Sequence, residues 1–293
     1  MTLRGGWSAL RRERSAAIGL ALAVTLVALA IAGPWFSADP ARVDIDGGLS
    51  ELGAPLGPSE HGPLGTDQLG RDVWARILSG ARTSLGIAAL ATVLSVAFGI
   101  AVGLTAAYAG PRVDGVLMRL VDLVLSFPSL LLAILLAALL RESGLGASSA
   151  PVIATLAIVG WTTMARALRA KALALARSEL VVAARAIGAS PARIVLRHIL
   201  PNTLGLVVAL ATLAFAQNLL AESVLAYIGL GAPPPAPTWG RMLYEGRLYY
   251  RTDPHLILAP GIAIVTAVVA FNLLGEGLRA LVDRSARGIE VRA

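Results

Sequence analysis

The sequence predicts an all-α, polytopic membrane protein with about six spanning helices. Three observations carry this. Of the 293 residues, 56% are hydrophobic and 15% charged, against about 45–50% and about 25% in soluble domains. Mean hydropathy is +0.74, which leaves too little polar surface to cover a soluble enzyme of this length. Apolar stretches of about 20 residues recur along the chain, the length that crosses a ~30 Å hydrocarbon core at ~1.5 Å per residue. The composition excludes a disordered chain, a collagen-like fibre and a disulfide scaffold, while the lack of cysteine says nothing about compartment.

The first stretch, Ala16–Phe36, follows Arg4, Arg11, Arg12 and Arg14. That pattern also fits a secretory signal peptide with Ala30-Ile31-Ala32 at the cleavage site, but the apolar run exceeds a usual signal core, which favours an uncleaved anchor. The remaining spans are expected near Leu85–Tyr108, Val116–Leu140, Pro151–Leu168, Leu204–Val224 and Leu256–Gly275. With the N-terminus in the cytoplasm, basic residues fall roughly two to one on that side, as the positive-inside rule requires. The loop after the first span is then external, and it is acidic, with Asp39, Asp44, Asp46, Glu51, Glu60, Asp67 and Asp72.

The expected organisation is a cytoplasmic tail at 1–15, an anchor helix at 16–36, an external segment at 37–84, a five-span core at 85–284 and a cytoplasmic tail at 285–293. The core contains a cytoplasmic loop, 169–203, that reads as helix throughout. Both termini are expected in the cytoplasm and the chain in the plasma or inner cell membrane. The net charge of +7 belongs to the loops flanking the spans, and the scattered basic residues with few aromatics argue against nucleic acid.

Catalytic and metal signals are nearly empty. His61, His198 and His255 lack ligand spacing, and no serine sits in a G-x-S-x-G setting. No metal site is expected. Lys171, between Ala170 and Ala172, is the only lysine, so the chain has no Gly-Lys-Ser/Thr phosphate loop.

The informative stretch is Glu179–Asn202. Leu180, Ala183, Ala184 and Ile187 form an apolar stripe at helical spacing. Gly188 suits a left-handed C-cap, Ser190 an N-cap and Pro191 a first helical residue. Pro201 is expected to stop the second helix and open the next span. The apolar face needs cover, either from its own neighbours and lipid or from a groove on a cytoplasmic partner, and periodicity does not choose between them.

Polar groups within spans are candidates to line a pathway: Ser126 near Pro128, Gln217, Asn218, Glu222 and Asn272. Each also suits ordinary interhelix hydrogen bonding, and Glu222 suits a structural pair as well as a gate. Gly65–Arg82 predicts a short helix lying on the outer face, with Asp67 as its N-cap and Asp67, Arg71, Asp72, Arg76 and Arg82 able to pair. Pro233-Pro234-Pro235 with Trp239 predicts a rigid outer loop with the indole at the membrane interface.

Ala183-Ala184-x-x-x-Gly188 followed by His198-Ile-Leu-Pro-Asn202 resembles the EAA loop of bacterial ABC importer permeases. Further segments are similar to the dipeptide, oligopeptide and nickel branch of that family: Gly65-Thr-Asp-Gln-Leu-Gly-Arg-Asp-Val73, Gly80-Ala-Arg-Thr-Ser-Leu85, Glu222-Ser223, Gly229-Leu-Gly-Ala-Pro-Pro-Pro235, Thr238-Trp-Gly240 and Phe271-Asn-Leu-Leu-Gly-x-Gly-Leu-Arg279. The resemblance runs from about Arg11 to Arg284.

It implies a type I permease fold forming half of a pore for di- or oligopeptides or a related small solute such as a nickel chelate. It further implies a second, homologous permease, an extracytoplasmic solute-binding protein and two cytoplasmic ATPases. The ATPases bind ATP and Mg, so this chain would bind no cofactor and catalyse no reaction itself. The helix at about Leu180–Ser190 would couple to the ATPases, through Glu179, Val182, Ala183, Ala184, Gly188, Ser190, Pro191, His198 and Pro201. Gly65, Thr66, Asp67, Gly70, Arg71 and Asp72 would form an outer-face motif. The family's leading acidic residue of the triplet is replaced by Val182, and the nearest carboxylate is Glu179, about one turn earlier.

A stand-alone transporter or channel is the alternative; it predicts inverted repeats and mid-bilayer charge, and neither is evident in the sequence. An intramembrane enzyme would need a nucleophile–base pair or metal ligands at depth, which the three histidines do not supply.

Overall fold

The computed structural model describes residues 14–58, 62–142 and 148–290, with side chains to 280. Residues 1–13 of the expected tail at 1–15, residues 291–293 of the tail at 285–293, the acidic Glu60 and His61 lie outside the described residues. Ten α-helices follow in chain order: α1 Arg14–Ala32, α2 Val73–Tyr108, α3 Pro111–Ser126, α4 Ser129–Leu140, α5 Ala150–Leu175, α6 Glu179–Ala186, α7 Pro191–Ile194, α8 Leu200–Tyr227, α9 Trp239–Gly246 and α10 His255–Glu290. Among the described residues, five helical stretches are long and apolar enough to cross a membrane, and six if the bent pair α3–α4 is one span. One end of the bundle carries the segment 37–72 and is called the loop end; the other carries residues 176–199 and is called the elbow end.

α2 is the central wall. It runs parallel to α5, with Ile87 and Ala91 near Val152 and Leu156 and Gly99 and Gly103 near Met164 and Ala165. It runs antiparallel to α8, with Asn218 Nδ2 donating to Thr92 Oγ1 at 2.9 Å. Its start is fixed by Asp72, whose side chain accepts from Trp74 N–H at 2.8 Å and from Ala75 N–H at 3.4 Å, satisfying orphan amides of the first turn. The expected outer-face helix over Gly65–Arg82 is therefore not separate. Asp72, rather than Asp67, is the cap, and the helix continues straight into the span.

α1 lies antiparallel against α10. Gly19 faces the backbone of Ala270 and Leu273, and Ala16 meets Gly277. The turn Gly33–Trp35 ends α1, with Pro34 unable to continue the hydrogen-bond ladder. The span expected over Val116–Leu140 is instead broken. Phe127 is extended, with φ −91° and ψ 141°, because the ring of Pro128 disfavours helical backbone before it, and α3 and α4 meet at 93°.

At the elbow the break expected at Gly188 is present, and a further break over 176–178 interrupts the helical reading of 169–203. α5 ends at Leu175, and α6 and α7 are short. Pro201 does not stop the chain: a widened π-helical turn, Val195–Ile199, leads through it into α8, so Pro191–Tyr227 forms one span candidate. A wide turn accommodates the proline ring and the carbonyl that its missing N–H leaves free.

Helix contact in lipid depends on small residues that let backbones approach. A Cβ on Gly103 would sit 2.6 Å from Ala165 O. Gly103→Val is expected to lower stability by about 1–3 kcal/mol through overpacking, read as a lower thermal midpoint in detergent. Gly86→Ala, with nothing within 4 Å, should stay within about 0.5 kcal/mol of the parent.

Candidate functional site

Three places carry the sequence-predicted residues: the elbow, a cavity in the bundle and the loop end. At the elbow, Gly188 has φ +81°. Ala189 N–H donates to Ala184 O at 3.0 Å and Gly188 N–H to Arg185 O at 3.0 Å, so α6 closes with paired Schellman bonds. Ser190 Oγ accepts from Arg193 N–H at 3.4 Å, and Pro191 opens α7. The joint is two rigid pieces meeting at one left-handed residue.

The apolar stripe is arranged differently from the sequence reading. Val181 and Ala184 point inward, packed with Leu168, Ala172, Ile194 and Ile199. Leu180 and Ala183 face out, beside Val182 at 54% exposure and Ile187 at 86%. Ala184 alone of the expected stripe is buried. Glu179 is exposed in the first turn of α6. His198 lies in the π turn, its carbonyl accepting from Asn202 Nδ2 at 2.6 Å. The elbow thus presents an uncovered apolar face built from the residues flanking the missing acidic position.

A cavity of about 680 Å³ opens between α2, α4, α5, α8 and α10. It takes in Gln217 and Asn218. Ser126, Glu222 and Asn272 are not among its lining residues. Ser126 is exposed at the bend and donates to Leu123 O at 2.7 Å. Glu222 is fully buried on α8, one helical turn beyond Asn218. Ser223 Oγ lies 3.5 Å from its Oε2, and the hydroxyls of Ser84 and Thr238 face the same carboxyl. Asn272 is half-buried on α10.

At the loop end, Thr66 Oγ1 donates to Gly48 O at 2.5 Å and accepts from Leu56 N–H at 2.9 Å. Asp67 accepts from Leu69 and Arg71 amides at 2.9 and 3.0 Å and pairs with Arg71 at 2.7 Å and with Arg76. Gly65 and Gly70 adopt φ of +73° and +70° where the turn folds back on Leu56 and Asp44. The network then leaves the expected segment. Glu245 on α9 takes Arg71 at 2.9 Å, Arg76 at 2.8 Å and Arg241 at 2.8 Å. Asp72 serves as the cap instead of pairing.

Trp239 is also placed differently from its expected membrane interface. It is buried, with Nε1 donating to Ile77 O at 3.0 Å and its amide to Ser84 Oγ at 3.1 Å. The indole locks α9 to α2.

A family model described as the binding-protein-dependent transport system inner membrane component matches residues 99–288. The chain belongs to this family. A second model, the N-terminal transmembrane domain of oligopeptide transport permease C, matches residues 2–52 of this transport component. The dipeptide transport system permease protein DppC of Alkalihalophilus pseudofirmus is 36% identical over 281 residues, 96% of this chain and 89% of that protein. The glutathione transport system permease protein GsiD of Escherichia coli is 36% identical over 282 residues, 96% and 90% respectively. A structure of the MetNI methionine ABC transporter in an inward-facing conformation superposes with a TM-score of 0.60 at 20% identity, over 71% of this chain and 96% of that one. It supports the fold alone. The permease resemblance and the all-helical, multi-pass fold read from the sequence therefore hold.

Glu245 and Arg241 escaped the sequence reading because nothing local links them to Arg71 and Arg76, some 170 residues away. Burial opposes ionisation of Glu245, but the Arg76 charge, hydrogen bonds from Arg241 and Arg76 and the Arg71 charge outweigh it and hold its pKa below the usual range. A lowered carboxylate contributes stability that is full above the unfolded value and is lost as pH falls through the folded one. Glu245→Gln is expected to cost roughly 1.5–3 kcal/mol at neutral pH and to flatten the acid limb of a stability–pH profile measured in detergent.

Proposed function

We propose that this transport component is one of two permease subunits of an ATP-driven importer for small peptides. The single observation that carries the reading is the uncovered apolar elbow, Leu180, Val182, Ala183 and Ile187, fixed rigidly between two spans. A hydrophobic face projecting from the end of a bundle suits a groove on a partner protein. The elbow end is cytoplasmic in this reading, as the basic residues require, and so are both termini, in the inner or plasma membrane.

Two ATPase subunits bind ATP and Mg and dock at the elbow, so hydrolysis belongs to them and not to this chain. Their closure displaces α6 as a rigid body, and α5 and α8 tilt with it. A homologous permease supplies the facing half of the pathway, and a solute-binding protein delivers substrate at the loop end, on the side of the Gly65–Asp72 motif. Peptides are the proposed substrate class because of what DppC and GsiD are named for. Val182 makes the docking apolar where relatives of the resembled type use an acidic side chain.

The deciding experiment is co-expression with candidate ATPases and reconstitution of the purified complex in proteoliposomes. Copurification and ATP-dependent peptide uptake are expected; peptide movement by this chain with no ATPase present would refute the reading. Gly188→Val places a β-branched residue at φ +81°, a strain of about 1–2 kcal/mol. Uptake should fall about tenfold, the scale of a lost coupling energy, while the spans still insert. Val182→Glu, at an exposed position, should preserve both insertion and ATPase docking.

A further inference from the structure

We propose that Arg279 is an anion-selecting residue, which receives a carboxylate of the transported solute and favours anionic over cationic cargo. The inference rests on the importer reading above and adds the charge preference of its pathway.

The cavity between α2, α4, α5, α8 and α10 is walled mostly by aliphatic side chains. Its polar members, Ser129, Thr162, Thr163, Gln217 and Asn218, are all neutral. Among the described residues Arg279 is its one charged lining residue. Two arginines toward the same end of the bundle that lie on cavity-lining helices or their neighbours are paired, Arg166 with Asp122 and Arg169 with Asp114. Arg279 is exposed and makes no ion pair among the described residues; Glu276 stands three residues earlier and Asp283 four residues later on the same helix.

An exposed guanidinium at the rim of a largely apolar cleft is hydrated, and it can exchange that water for an incoming anion. A low-dielectric cleft with a single sign of charge focuses its field on the solute inside. The volume of about 680 Å³ lies within the range that takes a small organic solute. The neutral remainder of the lining tolerates varied side chains, so Arg279 alone sets a preference by charge. The other anion within reach of such a side chain is a lipid phosphate, which would anchor α10 without regard to cargo.

The test uses the complete importer, with partner permease, ATPases and binding protein, reconstituted with Arg279, Arg279→Lys, Arg279→Gln or Arg279→Glu. Uptake of Ala-Asp-Ala and Ala-Lys-Ala is compared, with Ala-Ala-Ala as the neutral reference. The binding protein's own preference is common to all four complexes and cancels. The anionic-to-cationic uptake ratio should fall about threefold to tenfold in Arg279→Gln, fall further in Arg279→Glu, and stay near the parent value in Arg279→Lys. A ratio unchanged across all four overturns the inference, including when every uptake falls together, the result lipid anchoring would give. Failure of the parent complex to move any of the three peptides while it hydrolyses ATP overturns the peptide reading itself, and this inference with it.

Discussion

A helix in hydrocarbon gains little by exchanging lipid contacts for leucine contacts. The fold therefore depends on how closely its backbones approach. Gly99 and Gly103 let α2 meet α5, and Gly19 and Gly277 let α1 meet α10. Polar side chains then fix position along those contacts. Asn218 bonds Thr92 between α8 and α2, and Trp239 hangs α9 on the backbone of α2. With α2 in the centre touching both α5 and α8, the two spans that frame the elbow share one wall, and displacement of the elbow acts on both.

The three regions solve different electrostatic problems. The loop end gathers Asp67, Arg71, Arg76, Arg241 and Glu245 into a nearly closed network, in which most charges are half-buried or buried and each has a partner. It fastens the irregular segment 37–72 to α9. The elbow has a neutral, apolar outward face at its centre. Among the described residues the cavity is neutral except at Arg279. Charge thus holds the chain together where backbone is irregular, and is sparse where something else is expected to bind.

Much of this was legible in the sequence. The spans are governed by a local quantity, mean hydropathy over about twenty residues, and five of the six expected spans appear as unbroken crossing helices. The cap chemistry of the elbow was equally readable, because Gly188, Ser190 and Pro191 act on their own neighbours. What was lost depends on tertiary choice. Periodicity located an apolar stripe on α6 but not which flank turns inward, and Val181 took the place expected of Leu180. The span over Val116–Leu140 reads as unbroken because its hydropathy is continuous, and the 93° bend that Pro128 imposes at Phe127 does not show in that average. Glu222 reads equally as a structural pair or a gate, and its burial against Ser84 and Thr238 follows from a helical phase that the sequence alone leaves free. Glu245 became visible only when residues far apart in the chain were brought together.

The seam between α1 and α10 has one more consequence. The first helix of the described chain is zipped along the last, so the order of elements closes into a ring instead of trailing an appendage. Severing the chain after Ala32 would open that seam. It would strip cover from Ala270, Leu273 and Gly277, leaving a furrow with backbone at its floor that acyl chains, unable to donate or accept, would have to fill.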